Sequence, residues 1–408
     1  MGKQCFPAPK RGKRRAARKP TNKMQKKPPN HVPYVRHGKP TAKSRKDRSR
    51  WCRSLQDFLN KGEKHVIDTL KVDGILPEWK GVRCPWCSAG VLGPLTKGSQ
   101  KSGSWHHRCN RGRTCGRRVA PHDFHPIFVH GKGQSTTPLD EQATMLFCAL
   151  AGCSQAAALR ILPKNHKAAE GIYARLHQTQ ARFVRYEEKK IKFGCGQGWE
   201  DVEADEVDLG KGEDPDAKPN SPTPIAWEQW GGIVQRGAPE TLVLFRLDPA
   251  KTKRRAPGPG PIRKRDWLPK ARKWLADRRV ILHTDGAKTY KLKLHGVKHD
   301  FVVHKSKRIV VRGRPVWLKP KFAKVCWHNI AEEGRPKKQL WVQAGTQIID
   351  RIWGLLRKDL GQTSRGPNSR TLETRIRAFQ WAYWNRDNDL WQETGRMLQS
   401  LFVRDFSS

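Results

Sequence analysis

Apolar residues are spread unevenly along the 408-residue chain, and the first fifty residues show almost no apolar periodicity. This stretch contains prolines throughout and 18 Lys and Arg against a single acid, Asp47. Few apolar residues and a high net charge are typical of segments that cannot bury a core. We therefore predict a disordered basic arm over residues 1–50. It would serve either as a nuclear-localisation or DNA-tethering segment or as a solvated tail.

Apolar residues at helical spacing predict four helices in the next part of the chain. The first covers residues 54–71, and the second begins at residue 139. Gly152 is placed to end that second helix, and Ser154 is placed to cap the third. A fourth helix is predicted from residue 163 to about residue 184.

The last three of these helices, with a glycine-containing turn between them, are typical of a helix-turn-helix unit. The final helix of such a unit lies in the major groove of DNA. The DNA-binding candidates on it are Lys164, Lys167, Arg175 and Arg182. The alternative is a plain helical connector.

Beyond residue 200 the pattern changes to short apolar runs separated by Gly, Pro and charged residues, which predicts strands. The predicted strands are 202–209, 230–234, 242–247, 280–284 and 301–303, and the predicted helices are 267–277, 347–360 and 369–384. Strands with helices between and after them indicate a mixed α/β fold, in which helices cover a mixed sheet. Residues 251–264, rich in Pro, Gly and Arg, are predicted to be a flexible basic insertion.

Four of the ten cysteines lie between residues 84 and 115, as a CPWC pair, Cys84 and Cys87, and a looser pair, Cys109 and Cys115. Four thiolates at this spacing can close a tetrahedral zinc site, which would stabilise a small domain that has little core of its own. We therefore predict a structural zinc ion. His106 and His107 are close enough in sequence to replace one cysteine. A catalytic role for zinc is disfavoured, because four thiolates leave no open position for water.

The net charge of +45 indicates a polyanionic partner, and nucleic acid fits best because each neutralised phosphate releases a counterion. A membrane fits worse, since no run of about 18 apolar residues is present. The N-terminus has no secretory pattern, so we expect a protein of the nucleus or, in a bacterium, of the cytoplasm and nucleoid.

Three aspartates carry the chemical hypothesis. Asp205 lies inside a predicted strand among other acids, Asp285 follows a second strand, and Asp350 lies on a predicted helix. Two strand acids and one helix acid can converge on two divalent ions, an arrangement that activates water or a 3′-hydroxyl for attack on a phosphate. Carboxylates are the ligands that Mg²⁺ prefers, so the sequence predicts Mg²⁺ or Mn²⁺ here. The alternative is that the three acids are ordinary strand-end and helix-cap residues.

Four segments resemble the successive blocks of Merlin-type transposases and the related bacterial ISXO2-like insertion-sequence transposases. They are WEDVEADEVDLGKG, ILHTDGAKTY, FVVHKSK and AGTQIIDRIWGLLRKDL. The order of a cysteine-rich segment, a helical segment and an acidic core is also similar, and the resemblance covers about residues 75–390.

This resemblance implies a ribonuclease H-like catalytic core preceded by a zinc ribbon. It also implies cut-and-paste transposition of DNA and a metal-binding triad of Asp205, Asp285 and Asp350. The expected partners are the element's terminal repeats and target DNA, bound by a homo-oligomer. The expected organisation is the basic arm, a helix and zinc ribbon over 51–130, a DNA-binding segment over 138–190, a core over 198–390 and a C-terminal tail over 391–408.

One departure from the family concerns the third acid. The family usually has glutamate there, and this chain has Asp350, which is shorter by one methylene, about 1.5 Å of reach. The insertion at 251–264 is a second departure. The alternatives to an active transposase are a non-catalytic, transposase-derived DNA-binding protein and a zinc-ribbon RNA-binding protein.

Overall fold

A computed structural model describes most of the chain beyond the first part of the basic arm. The described residues are 28–37, 51–98, 104–129, 137–162, 166–196, 198–304, 306–330, 338–361 and 365–406. Within them the protein has a mixed α/β architecture with one six-stranded mixed sheet, as predicted. No helix in this part of the chain is long and apolar enough to cross a membrane.

The cysteine-rich segment follows helix α1 (Glu63–Val72) and forms a small antiparallel sheet. Its strands are β1 (Leu92–Lys97), β2 (Trp105–Cys109) and β3 (Arg118–Val119), in that spatial order. Trp79, Leu92 and Val119 form its compact apolar cluster together with two of the cysteines. So small a core is consistent with a segment that needs a metal for stability.

Three helices follow, α2 (Leu139–Leu150), α3 (Gln155–Ile161) and α4 (His166–Glu187), close to the predicted boundaries. The Ser154 hydroxyl accepts a hydrogen bond from the Ala157 amide at 3.1 Å and so caps α3, as predicted. Helix α4 buries one face along its whole length and packs against α2 and against a helix of the core.

The strands of the large sheet are β4 (Glu200–Glu213), β5 (Ile225–Gln235), β6 (Ala238–Arg246), β7 (Ala250–Thr252), β8 (Val280–Thr284) and β9 (Val297–Phe301). Their spatial order is β6-β5-β4-β8-β9, with β7 beside β5. Strands β4, β5 and β6 are antiparallel neighbours, whereas β8 is parallel to β4 and β9 is parallel to β8. The sheet therefore changes from antiparallel to parallel at β4, its central strand.

Helices cover both faces of this sheet. Helix α5 (Lys264–Trp274) packs on the face that carries Val202 and Ala204. Two further two-stranded sheets follow β9, one of β10 (Lys307–Val311) with β11 (Arg314–Leu318), the other of β12 (Lys324–Ile330) with β13 (Lys338–Ala344). Helices α6 (Gln347–Leu360) and α7 (Leu372–Trp384) pack on the opposite face of the large sheet, against Val207 and Leu209.

Several segments differ from the prediction. Residues 391–408 were expected to be a tail, but helix α8 (Leu390–Phe406) buries Trp391 among the N-terminal helices, where its ring contacts Phe58. Residues 28–37 of the expected disordered arm pack against the core. The expected insertion at 251–264 contributes Ile262 to the core, with that side chain only 2% exposed. In each case apolar or charged groups distant in the sequence supply the contact.

Candidate active site and metal centre

The four predicted cysteines converge. The sulfur atoms of Cys84, Cys87, Cys109 and Cys115 all lie within 4.8 Å of one another, and this set could hold a structural metal such as Zn²⁺. Cys84 and Cys115 are 3.8 Å apart, as are Cys87 and Cys109. An all-thiolate donor set fits tetrahedral zinc. Backbone amides of Gly90 and Ala89 lower the pKa of Cys87 to about 6, whereas burial and the neighbouring thiols raise the pKa of Cys109 to about 11. A bound cation would favour the thiolate at both.

The structure also decides between cysteine and histidine ligands. The Nδ1 atoms of His106 and His107 hydrogen-bond to the carbonyls of Ser104 and Gly93, and neither ring belongs to the group of ligating atoms that lie within 4.8 Å of one another. Gly90 allows the close approach of the cysteines, because a Cβ at this position would lie 2.3 Å from the Cys109 sulfur. The donor set is therefore four sulfurs.

Strand β4 carries several acids, and most of them already have partners. Asp201 forms a salt bridge with Arg36 at 2.7 Å and binds His283, and Glu206 accepts a hydrogen bond from the Tyr290 hydroxyl. Glu203 is completely buried and forms a salt bridge with Arg236 at 2.7 Å. The unusual run of acids thus has a largely structural explanation.

Asp205 and Asp208 are less well paired than these acids. Within the described residues neither forms a salt bridge, and Asp208 Oδ1 is buried without a hydrogen-bond partner. Asp205 Oδ2 accepts a hydrogen bond from Trp353 Nε1 at 3.1 Å. Burial and the neighbouring carboxylates of Glu206, Asp350 and Asp285 raise its pKa well above the usual value. A buried, unpaired carboxylate is costly unless it is protonated or binds a cation.

The strand register brings Asp285 next to Asp205. Strands β4 and β8 are parallel, and Glu203 pairs with His283. Asp205 and Asp285 each lie two residues beyond this last pair, and Asp285 follows the end of β8. The two carboxylates are close enough for the charge of Asp285 to contribute to the raised pKa of Asp205. Adjacent strands are about 4.8 Å apart. The Asp285 carboxylate also accepts a hydrogen bond from the Ala287 amide at 2.9 Å, which fixes its orientation after the strand ends.

Asp350 reaches the same face from the first turn of α6, which Glu203 holds in place. The Glu203 carboxylate accepts hydrogen bonds from the backbone amides of Ile348 and Ile349 at 2.8 and 2.9 Å. These are among the amides that a helix leaves unpaired at its N-terminus. Gly232, the partner of Asp205 on β5, lets α6 approach the sheet, because a Cβ there would lie 2.7 Å from the Trp353 ring.

The three aspartates interact electrostatically, but their carboxylate oxygens do not all lie within 4.8 Å of one another. Burial raises the pKa of Asp350, and the charge of Asp285 contributes to the same shift. Among the described residues, the four cysteines are the one set of three or more ligating groups whose atoms all lie within 4.8 Å of each other. A pair of ions about 3.5 to 4 Å apart spreads its ligands more widely than a single ion does. The three aspartates could hold such a pair.

Residues 28–37 contribute groups to this region that the sequence did not indicate. The Tyr34 hydroxyl donates to Glu203 at 2.6 Å and accepts from the Gln347 amide at 2.9 Å. Arg36 binds Asp201, and Arg236 lies 3.8 Å from the centre of the Tyr34 ring. Since these partners are distant from the segment along the chain, no local pattern could have revealed them.

The predicted DNA-binding residues of α4 are in part occupied by other protein groups. Arg175 donates to the Ile127 carbonyl at 2.6 Å, and Arg182 forms a salt bridge with Asp405. Lys167 lies in the first turn, and Lys164 falls outside the described residues. Because α4 buries one face along its length, these contacts favour the interpretation as a helical connector.

Comparison of the chain with protein families, curated proteins and solved structures finds no match.

Proposed function

We propose that this chain is a DNA transposase of the Merlin and ISXO2-like kind, with Asp205, Asp285 and Asp350 as the acidic triad. The observation that carries the proposal is the register of β4 and β8. Glu203 pairs with His283, two residues before Asp205 and Asp285 respectively. Trp353 of α6 donates to Asp205, and Asp350 lies three residues before Trp353 on that helix. No described basic residue forms a salt bridge with any of the three. A neutralising cation is the natural partner for such a set.

The residues fit Mg²⁺ or Mn²⁺ through their donor chemistry, because carboxylate oxygens are the ligands that hard divalent ions prefer. When bound, such ions polarise a phosphate and lower the pKa of an attacking water or 3′-hydroxyl. The protein's own contribution is to hold the carboxylates in a partly buried site. Trp353 fixes Asp205, and the Thr346 hydroxyl donates to Asp350 at 3.1 Å.

The architecture supports a ribonuclease H-like core for this triad. An antiparallel run of β6, β5 and β4 is continued by parallel β8 and β9, and the proposed acids lie on β4, after β8 and on α6. The high positive charge supports DNA as substrate, with terminal repeats and target DNA bound by a homo-oligomer. We propose structural zinc at the four cysteines, in a domain of the zinc-ribbon kind.

The proposal is tested by cleavage of a plasmid that carries the DNA flanking the coding sequence. We expect cleavage with Mg²⁺ and none with a chelator, and we expect Asp350→Asn to abolish it while DNA binding persists. Asp359→Asn, the same substitution at the exposed end of α6, is the matched control and should cleave normally. Cleavage by Asp350→Asn at the wild-type rate would refute the triad.

Asp350→Glu introduces the side chain that is usual at this position in the family that the chain resembles. The change in cleavage rate shows whether the site works better with glutamate or with aspartate. Increased cleavage would indicate that aspartate leaves the triad detuned. Decreased cleavage would indicate a site re-optimised for the shorter acid. An unchanged rate would argue against contact between this residue and the ions.

A second candidate is a non-catalytic, transposase-derived DNA-binding protein. It is favoured by the shorter third acid. It is also favoured because the three aspartates are not among the described groups of ligating atoms that all lie within 4.8 Å of one another. Tight DNA binding without cleavage under Mg²⁺ or Mn²⁺, in the wild type and in Asp350→Glu, would select this candidate.

A further inference from the structure

The β10–β11 ribbon (residues 307–318) is a two-stranded sheet that joins no larger one among the described strands. Its described side chains are exposed, apart from that of Ile309, which is half-buried. Val310 is 71% exposed and Trp317 is 66% exposed. An isolated ribbon is at best marginally stable in water, and large exposed apolar side chains are typical of interaction surfaces. The ribbon is therefore expected to have a partner.

The charge of the ribbon and of the residues beside it indicates the chemistry of that partner. Residues 301–330 contain eight Lys and Arg and no Asp or Glu. At the tip, Arg312 and Gly313 have φ angles of 50° and 75°, as a two-residue type I′ turn requires, so the tip itself carries an arginine. The strand register pairs Arg308 with Trp317, which places a cation and a large ring on one face. Basic and aromatic groups together fit nucleic acid.

The base of the ribbon lies next to the proposed triad. The centre of the His304 ring, three residues after β9, lies 5.2 Å from that of the Phe322 ring, four residues after β11. The Phe322 carbonyl lies against Gly345, immediately before the N-cap of α6, since a Cβ at Gly345 would lie 2.6 Å from its oxygen. Five residues per strand give the ribbon a length of about 17 Å. A duplex with a phosphate at the triad would therefore be within reach of the ribbon.

We propose that the β10–β11 ribbon enters the major groove of duplex DNA and holds the duplex against the acidic site. This inference rests on the proposed function and names how the substrate is held. The major groove of B-form DNA, about 12 Å wide, admits a two-stranded ribbon, whereas the major groove of A-form RNA is deep and narrow. A second copy of the ribbon is a poor partner, because two acid-free basic surfaces repel each other.

The first test removes charge from the ribbon with the triple variant Arg308→Gln, Arg312→Gln and Arg314→Gln. These side chains are exposed, so the substitutions should leave the fold intact. The salt dependence of binding to a duplex of about 30 base pairs is measured in the Asp350→Asn background, with Mg²⁺ present and no cleavage. The log-log slope should become shallower by about 0.9 for each phosphate that the variant no longer neutralises, or about 2 to 3 in all.

The matched control removes three exposed charges from α5, with Lys264→Gln, Arg265→Gln and Arg272→Gln. Helix α5 lies on the opposite face of the sheet from the triad. The control slope should equal that of the Asp350→Asn parent. An equal change of slope in both triple variants would show a general charge effect and overturn the inference, as would an unchanged slope for the ribbon variant.

The second test places a photo-crosslinking amino acid at Val310. Crosslinking to duplex DNA, competed more weakly by duplex RNA, supports the inference. Crosslinking to a second protein chain, no DNA adduct, or equal competition by duplex RNA overturns it. Both tests measure binding, so they are separate from the cleavage assay. A chain that binds DNA through the ribbon and never cleaves would refute the enzymatic proposal alone, and normal cleavage with an unchanged slope would refute the ribbon alone.

Discussion

Glu203→Gln is the substitution whose effect follows most directly from the structure. Both members of the Glu203–Arg236 salt bridge are buried, with side-chain exposures of 0% and 1%. One carboxylate oxygen accepts from Tyr34 and Arg236, and the other accepts from the amides of Ile348 and Ile349. A glutamine presents an oxygen to only one of these two pairs of donors, and its NH₂ group faces the other.

The loss of stability in Glu203→Gln follows from the polar groups that stay buried without a hydrogen-bond or ion-pair partner. Leaving a buried donor unsatisfied costs about 1 to 3 kcal/mol, and breaking a buried ion pair from one side costs about 3 to 5 kcal/mol. The two costs overlap, so we expect Glu203→Gln to lower the free energy of unfolding by about 3 to 5 kcal/mol. The N-terminus of α6 also loses its cap, which would weaken Mg²⁺ binding at the proposed triad.

Urea unfolding followed by circular dichroism, with and without Mg²⁺, measures both effects. Glu213→Gln is the control, because Glu213 is 74% exposed in its salt bridge with Arg254 and should cost at most about 1 kcal/mol. In the double variant with Arg236→Met, the destabilisation should be smaller than the sum of the two single values by at least about 1 kcal/mol. A destabilisation below about 1 kcal/mol for Glu203→Gln alone would refute the assigned role of this salt bridge.

Three further predictions concern separate parts of the molecule. Cys84→Ser should expose residues near 75–125 to proteolysis while the large sheet stays resistant, and identical digestion of variant and wild type would contradict the role given to the metal centre. The pKa of Asp205 is raised in the folded state. The metal-free protein should therefore lose stability as the pH rises from about 4, the usual aspartate pKa, through the raised pKa of Asp205. Asp205→Asn should abolish this pH-dependent loss of stability, together with the stabilisation that Mg²⁺ would give at the proposed triad. Equal pH profiles for variant and wild type would contradict the prediction. Ser154→Ala should cost about 1 kcal/mol by removing the cap of α3, and thermal unfolding checks this value.

Sequence patterns were sufficient where local spacing determines structure. Residues 347–360 were predicted as a helix and residues 280–284 as a strand, and both match the structure. Their apolar residues are typical of the elements that they form, because helix α6 buries one side and strand β8 is buried on both. The four cysteines were also identified by spacing, since a CPWC pair fixes the first two sulfurs close together. Composition likewise determined the large positive charge.

The tertiary structure decided which polar residues are available for chemistry. The sequence could not separate Asp205 from Glu203, because their difference depends on Arg236, Tyr34 and the amides of α6, which are distant along the chain. Strands β10 and β11 were missed, since a ribbon exposed on both faces has no alternation of buried and exposed residues to detect. Whether a charge is paired or free depends on atoms brought together by the whole fold, and this is why the candidate site emerged only from the packed chain.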